Sequence, residues 1–87
     1  MPVIWIPSLL RDITGGLEQI SVPGATLRQA LDELEERHPG LKMHLLHGGQ
    51  LRADFSVVVD GTTSHLRLRQ PLSDDSEVHL LPAFSGG

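Results

Sequence analysis

One stretch of this chain carries a helical period, and the rest must be arranged around it. In TLRQALDELEERHPG the apolar residues Leu27, Ala30, Leu31 and Leu34 fall at i, i+3, i+4 and i+7, one stripe on an otherwise charged surface. Thr26 followed three residues later by Gln29 is a capping-box pattern that satisfies orphan backbone donors, and His38-Pro39-Gly40 supplies the stop. One amphipathic helix of this length has to bury its stripe against a sheet. The expected class is therefore a two-layer α+β domain with a mixed sheet.

The remaining segments read as short strands. VIWIP, at about residues 2 to 7, is β-branched and aromatic and closes on Pro7, which cannot donate to a central ladder. After a loop containing Gly15-Gly16, LEQISV alternates and is bounded by Pro23-Gly24, which makes it a second strand antiparallel to the first. LKMHLLH suits a short helical turn, and Gly48-Gly49 then releases the chain toward DFSVVVDG, a strand turning at Asp60-Gly61. TTSHLRL is expected to return as a short strand, PLSDDS is turn chemistry, and EVHLL is a last strand with Val78 and Leu80 on one face. The order is β-β-α-β-β-β, with a domain over residues 1–81 and a flexible tail over 82–87.

Length and charge narrow the function. Eighty-seven residues make one small domain, and seven Lys plus Arg against eleven Asp plus Glu provide no field for nucleic acid or an anionic membrane. With no cysteine there is no thiolate metal site and no cysteine nucleophile. MPVIWIP lacks the basic start and apolar length of a secretory signal, so a cytoplasmic protein is expected. His38, His44 and His47 lie close in sequence without a zinc-site pattern, and Asp74, Asp75 and Glu77 read as a solvated acidic turn. Neither a phosphate-cradling glycine motif nor a nucleophile elbow occurs, so no catalytic residue, metal site or bound cofactor is expected in the chain itself.

The sequence closes on PAFSGG. Glycine has no Cβ, so a Gly-Gly end passes a narrow channel and offers its carboxylate uncrowded. On composition alone two readings stay open, a reactive tail and a frayed terminus that happens to be glycine-rich.

IPSLLRDITGG, TLRQALDELEERHPGL, FSVVVDG and LPAFSGG together resemble the ubiquitin-like sulfur carrier family of the MoaD/ThiS type, and within it the CysO-like branch. The resemblance runs over nearly the whole chain. It implies a β-grasp fold, with one main helix packed on one face of a mixed sheet. It implies that Gly87 is the carrier residue, adenylated by an E1-like enzyme that uses ATP and Mg²⁺ and then converted to a thiocarboxylate. Gly86, with Pro82, Ala83, Phe84 and Ser85, would be the leash read by that enzyme. The other implied partners are a sulfur donor, such as a rhodanese or persulfide protein, and a sulfur-accepting synthase. The chain would be a protein co-substrate and not an enzyme. Cysteine biosynthesis is favoured as destination, ahead of molybdopterin, thiamine or another thio-metabolite. The resemblance also places Ile4 and Ile6 in the core and leaves Trp5 on the open face as a partner anchor, the alternative being that Trp5 packs under the hairpin loop. Arg11 either meets an acidic partner or stays solvated beside Asp12. Two rival functions share the fold: a modifier conjugated through Gly87 to target lysines, and an interaction module with no tail chemistry.

Overall fold

The computed structural model describes residues 1–82. In chain order the elements are β1 (Val3–Trp5), a 3-10 turn (Ser8–Leu10), β2 (Gln19–Ser21), α1 (Leu27–Arg37), α2 (Leu41–Leu45), β3 (Leu46–His47), β4 (Gln50–Leu51), β5 (Phe55–Val59), β6 (Thr62–Thr63), a second 3-10 turn (Arg67–Arg69) and β7 (Glu77–Pro82). Five strands form one sheet in the order β2-β1-β7-β5-β6, and β3 with β4 forms a separate ribbon. The β1–β7 pair is parallel and its neighbours are antiparallel, so the sheet is mixed as expected.

The stripe of α1 does what its period requires. Leu27, Ala30, Leu31 and Leu34 are all at most 1% exposed and pack with Ile4, Ile6, Val22, Val57, Val78 and Leu80 from the sheet side. Each fully buried leucine or isoleucine contributes about 1.5–3 kcal/mol relative to exposure. The helix start is held by Thr26, whose Oγ1 accepts from the Gln29 N–H at 3.3 Å. The reciprocal arm reaches one residue further back than a standard capping box, with Gln29 Oε1 accepting from the Ala25 N–H at 2.8 Å. At the other end the Glu35 carboxylate accepts from the N–H groups of Gly40 (3.0 Å) and Lys42 (2.9 Å), satisfying donors at the start of α2.

Three expectations need correction. First, β1 spans Val3–Trp5 and not residues 2 to 7, for a reason given by the ladder itself. The Val3 N–H donates to Ser76 C=O, and Trp5 lies level with His79. Followed along this register, the next two donors in line belong to Pro7 and Pro82, which have no N–H, so the pairing stops. Second, TTSHLRL forms only the two-residue β6 and then a 3-10 turn. Arg67, at φ 55°, sends its guanidinium onto the carbonyls of Phe55 (2.9 Å), Arg52 (2.6 Å) and Leu51 (3.4 Å), and these bonds hold the chain away from the sheet edge. Third, Gly48-Gly49 is a turn as read, but the residues on either side of it pair as the β3–β4 ribbon, which was not expected and is tied to α1 by Arg28 Nη2 donating to Gly49 C=O at 3.3 Å.

Candidate functional site

The site is the end of the sheet where β7 runs out, since any chemistry on the tail starts from there. Pro82, read from sequence as the first residue of the tail, is the last residue of β7, half-buried and paired with Phe55. On the side where Pro7 and Pro82 end the parallel ladder lies a shallow depression of about 240 Å³, lined by Trp5, Pro7, Arg11, His79, Leu81 and Pro82 among others. Trp5, Arg11 and Pro82, singled out separately in the sequence, are thus brought to one place.

Their environments decide what each offers. Ile4 and Ile6 are buried, which leaves Trp5 on the opposite face of the sheet, half-buried. Its ring stacks on the neighbouring His79, with centroids 5.1 Å apart and planes 10° from parallel, and its Nε1–H donates to Glu77 Oε1 at 3.1 Å. Stacking and hydrogen bond together fix the indole as a rigid apolar plate with its polar edge satisfied. Leu81, 47% exposed, continues this face toward the tail. Arg11 is not simply solvated: its Nε donates to Ile6 C=O at 3.2 Å and its Nη1 lies 3.7 Å from Glu18 Oε1, so it fastens the hairpin loop to the end of β1. One side of its guanidinium still borders the depression.

His79 and Glu77 were missed as companions of Trp5. The alternation in EVHLL puts Glu77, His79 and Leu81 opposite Val78 and Leu80, but nothing local says that this strand lies beside β1. The other polar candidates stay apart. His38 caps α1, His44 sits on α2 and His47 on β3, while Asp74 lies 3.8 Å from the N-terminal ammonium. Among the described residues no three His, Asp or Glu side chains gather closely enough to hold a metal ion. Gly87, Gly86, Ser85, Phe84 and Ala83 lie outside the described residues.

A five-stranded mixed sheet with a parallel central pair, crossed on one face by one main helix, defines the β-grasp fold of ubiquitin-like proteins. Within that class, the sequence matches the ThiS family over residues 4–87, and the chain belongs to that family. It is 30% identical to the sulfur carrier protein CysO of Mycobacterium tuberculosis over 97% of this chain and 96% of that protein. A chain in the crystal structure of the Amycolatopsis orientalis BexX/CysO complex superposes with a TM-score of 0.92 at 30% identity, covering 100% of both chains. The crystal structure of M. tuberculosis CysO superposes with a TM-score of 0.88 at 27% identity, over 97% of this chain and 100% of that one. Family and relatives support a sulfur carrier role, that of a small substrate protein and not a catalyst.

Proposed function

We propose that this chain carries sulfur as a thiocarboxylate on Gly87, with cysteine biosynthesis the favoured destination. The observation that supports this most is the extent of the family match, which runs through residue 87 and so takes in the Gly86-Gly87 pair. In this reading an oxygen of the Gly87 carboxylate attacks the α-phosphorus of ATP on an E1-like partner, with Mg²⁺ held by that partner, and pyrophosphate leaves. Sulfide attack on the resulting acyl-adenylate expels AMP and leaves the thiocarboxylate. With a persulfide donor the first product is an acyl disulfide, and a thiol then cleaves its S–S bond, releasing the thiocarboxylate and an ordinary disulfide. The product is ionised at neutral pH and its sulfur is polarizable, which makes it an effective nucleophile toward an accepting synthase.

The domain's share is recognition and placement. The plate of Trp5 and His79 with Leu81 is an apolar surface of the kind that anchors protein interfaces, and it adjoins the root of the tail. That the BexX/CysO relative was crystallised as a complex agrees with a life spent on partners. No helix among the described residues is long and apolar enough to cross a membrane, and a cytoplasmic setting belongs to this same reading.

The test is direct. Incubated with a cognate E1-like enzyme, ATP, Mg²⁺ and a sulfur source, the protein gains the mass of one oxygen exchanged for one sulfur, and fragmentation places it on Gly87. Deleting Gly87 leaves the carboxylate about 3.5 Å short of the adenylation position. Because misplacement of about 1 Å already costs about a hundredfold in rate, the deletion abolishes loading without unfolding the domain. Normal loading of the deletion variant sinks the proposal. A lysine-linked conjugate in place of a thiocarboxylate turns it toward the modifier reading.

A further inference from the structure

The seven cationic side chains are spread unevenly over the domain. Three are engaged singly: Arg11 lies against Glu18, Lys42 against Asp32, and Arg37 Nη1 donates to Ser21 C=O at 3.0 Å. The other four, Arg28, Arg52, Arg67 and Arg69, are joined by the β3–β4 ribbon beside the start of α1. Arg28 reaches the ribbon's turn at Gly49, and the Arg67 guanidinium donates to the Leu51 and Arg52 carbonyls where the ribbon ends. A bond of 3.0 Å from the Leu27 N–H to Gln70 C=O brings the chain at Arg69 alongside the chain at Arg28.

Little in the domain cancels this charge. Residues 46–52 and 64–70 contain no acid. Asp54 borders the cluster and pairs with Arg52, and Asp32, one turn along α1 from Arg28, is held by Lys42. The carbonyls that take the Arg67 guanidinium orient it and leave its charge intact. Arg69 is exposed and forms no ion pair among the described residues. In a chain of net charge −4, four guanidinium groups beside one paired acid make a local positive field that faces solvent. Leu66, 46% exposed at the head of the second 3-10 turn, adds an apolar contact next to Arg67.

The cluster extends to the end of β7. Phe55, whose C=O accepts from Arg67 at 2.9 Å, lies level with Pro82. Gly87 is five residues further along the sequence, at most about 18 Å by covalent reach, so an enzyme that acts on it stands against this end of the domain. We propose that Arg28, Arg52, Arg67 and Arg69 dock an acidic surface of that enzyme. The fit is to carboxylates on a protein and not to a nucleic acid, because the rest of the chain, with every acid but Asp54, repels a phosphate backbone running past the cluster. Attraction at long range then orients the domain before the plate of Trp5 and His79 makes contact.

This docking rests on the reading of Gly87, and the test keeps the two apart. Association of the full chain with a cognate E1-like enzyme is followed by stopped flow without ATP, and loading by mass spectrometry with ATP, Mg²⁺ and a sulfur source. Arg69→Glu and Arg28→Glu each slow association about tenfold at low salt. The deficit closes at 1 M salt, where the Debye length is about 3 Å against about 10 Å at 0.1 M. Neither change threatens the fold, since Arg69 is exposed and a glutamate in the first turn of α1 suits the helix dipole; melting curves check this. Arg37→Glu, the same change of charge outside the cluster, keeps nearly the wild-type rate. Equal slowing by Arg37→Glu would assign the effect to net charge and overturn the proposal, as would wild-type rates in both cluster variants. A mixed-sequence single-stranded DNA that binds the wild type more tightly than the enzyme does would assign the cluster to nucleic acid and overturn it as well. In each of these cases a wild type that is still loaded leaves the sulfur reading standing, whereas a wild type that is never loaded is the failure of that reading and takes this proposal with it.

Discussion

Replacing Gly24 by alanine drives a methyl group into the backbone of α1. A Cβ at this position would lie 2.7 Å from the Ala30 nitrogen, 3.0 Å from its Cα and 3.2 Å from its Cβ. Comfortable contact between carbon atoms begins near 3.5 Å, so all three distances are too short. Two of the three atoms are main chain, and the Ala30 N–H is committed to Thr26 C=O at 3.0 Å, so no rotamer change relieves the clash. An opposing effect must be weighed. Gly24 is not among the glycines held at positive φ, so alanine would restrict the unfolded chain and favour folding by about 0.4–1 kcal/mol. Overpacking of a filled site costs about 1–3 kcal/mol, and contact with a hydrogen-bonded helix backbone belongs in the upper half of that range. The net expectation is a loss of about 1–2.6 kcal/mol. With a urea m-value of about 1 kcal/mol/M for a domain this small, the unfolding midpoint falls by about 1–2.6 M at unchanged slope. A midpoint that stays put or rises would show that the Pro23-Gly24 turn yields freely, and that its seat against α1 does not hold the helix in place.

Leu31→Ala, at the centre of the stripe and 1% exposed, is expected to cost about 2–5 kcal/mol in a denaturant titration; a smaller loss would mean that α1 does not seal the core. Glu35 tests the joint between the helices by pH. The N–H groups of Gly40, first, and Lys42 hold its carboxyl below the usual carboxylate range, against a smaller opposing effect of burial. A carboxyl whose pKa is lower folded than unfolded stabilises fully above its unfolded value, and that contribution fades as pH falls through the folded one. The stability gap between the wild type and Glu35→Gln is therefore constant near neutrality and narrows in acid, as read from chemical denaturation across pH. A gap independent of pH would show that the two hydrogen bonds do not depend on the charge.

The helix was legible because everything that makes it is local: the stripe, the Thr26 cap and the His38-Pro39-Gly40 stop lie within one short run. The alternation of β1 was legible, but not which side met the helix: Ile4 and Ile6 were placed in the core by the family resemblance, and their burial bears that out. What could not be read depended on partners distant in sequence. Trp5 meets His79 only because β1 and β7, from opposite ends of the chain, lie parallel. The fate of TTSHLRL was decided by the Arg67 side chain and three carbonyls from residues 51 to 55, which no propensity of the segment encodes. The early end of β1 was half legible, since Pro7 was visible as a stop, while the matching stop at Pro82 required the register.

The position of β7 has a mechanical consequence. Force applied by a partner drawing on residues beyond Pro82 enters a central strand, flanked by β1 running the same way and β5 running the opposite way. Were the pull borne by an edge hairpin, hydrogen bonds would open singly, like a zipper, under small loads. Here the load runs along the strand axis and is shared at once by both ladders, so the domain can be hauled by its end without unravelling from it.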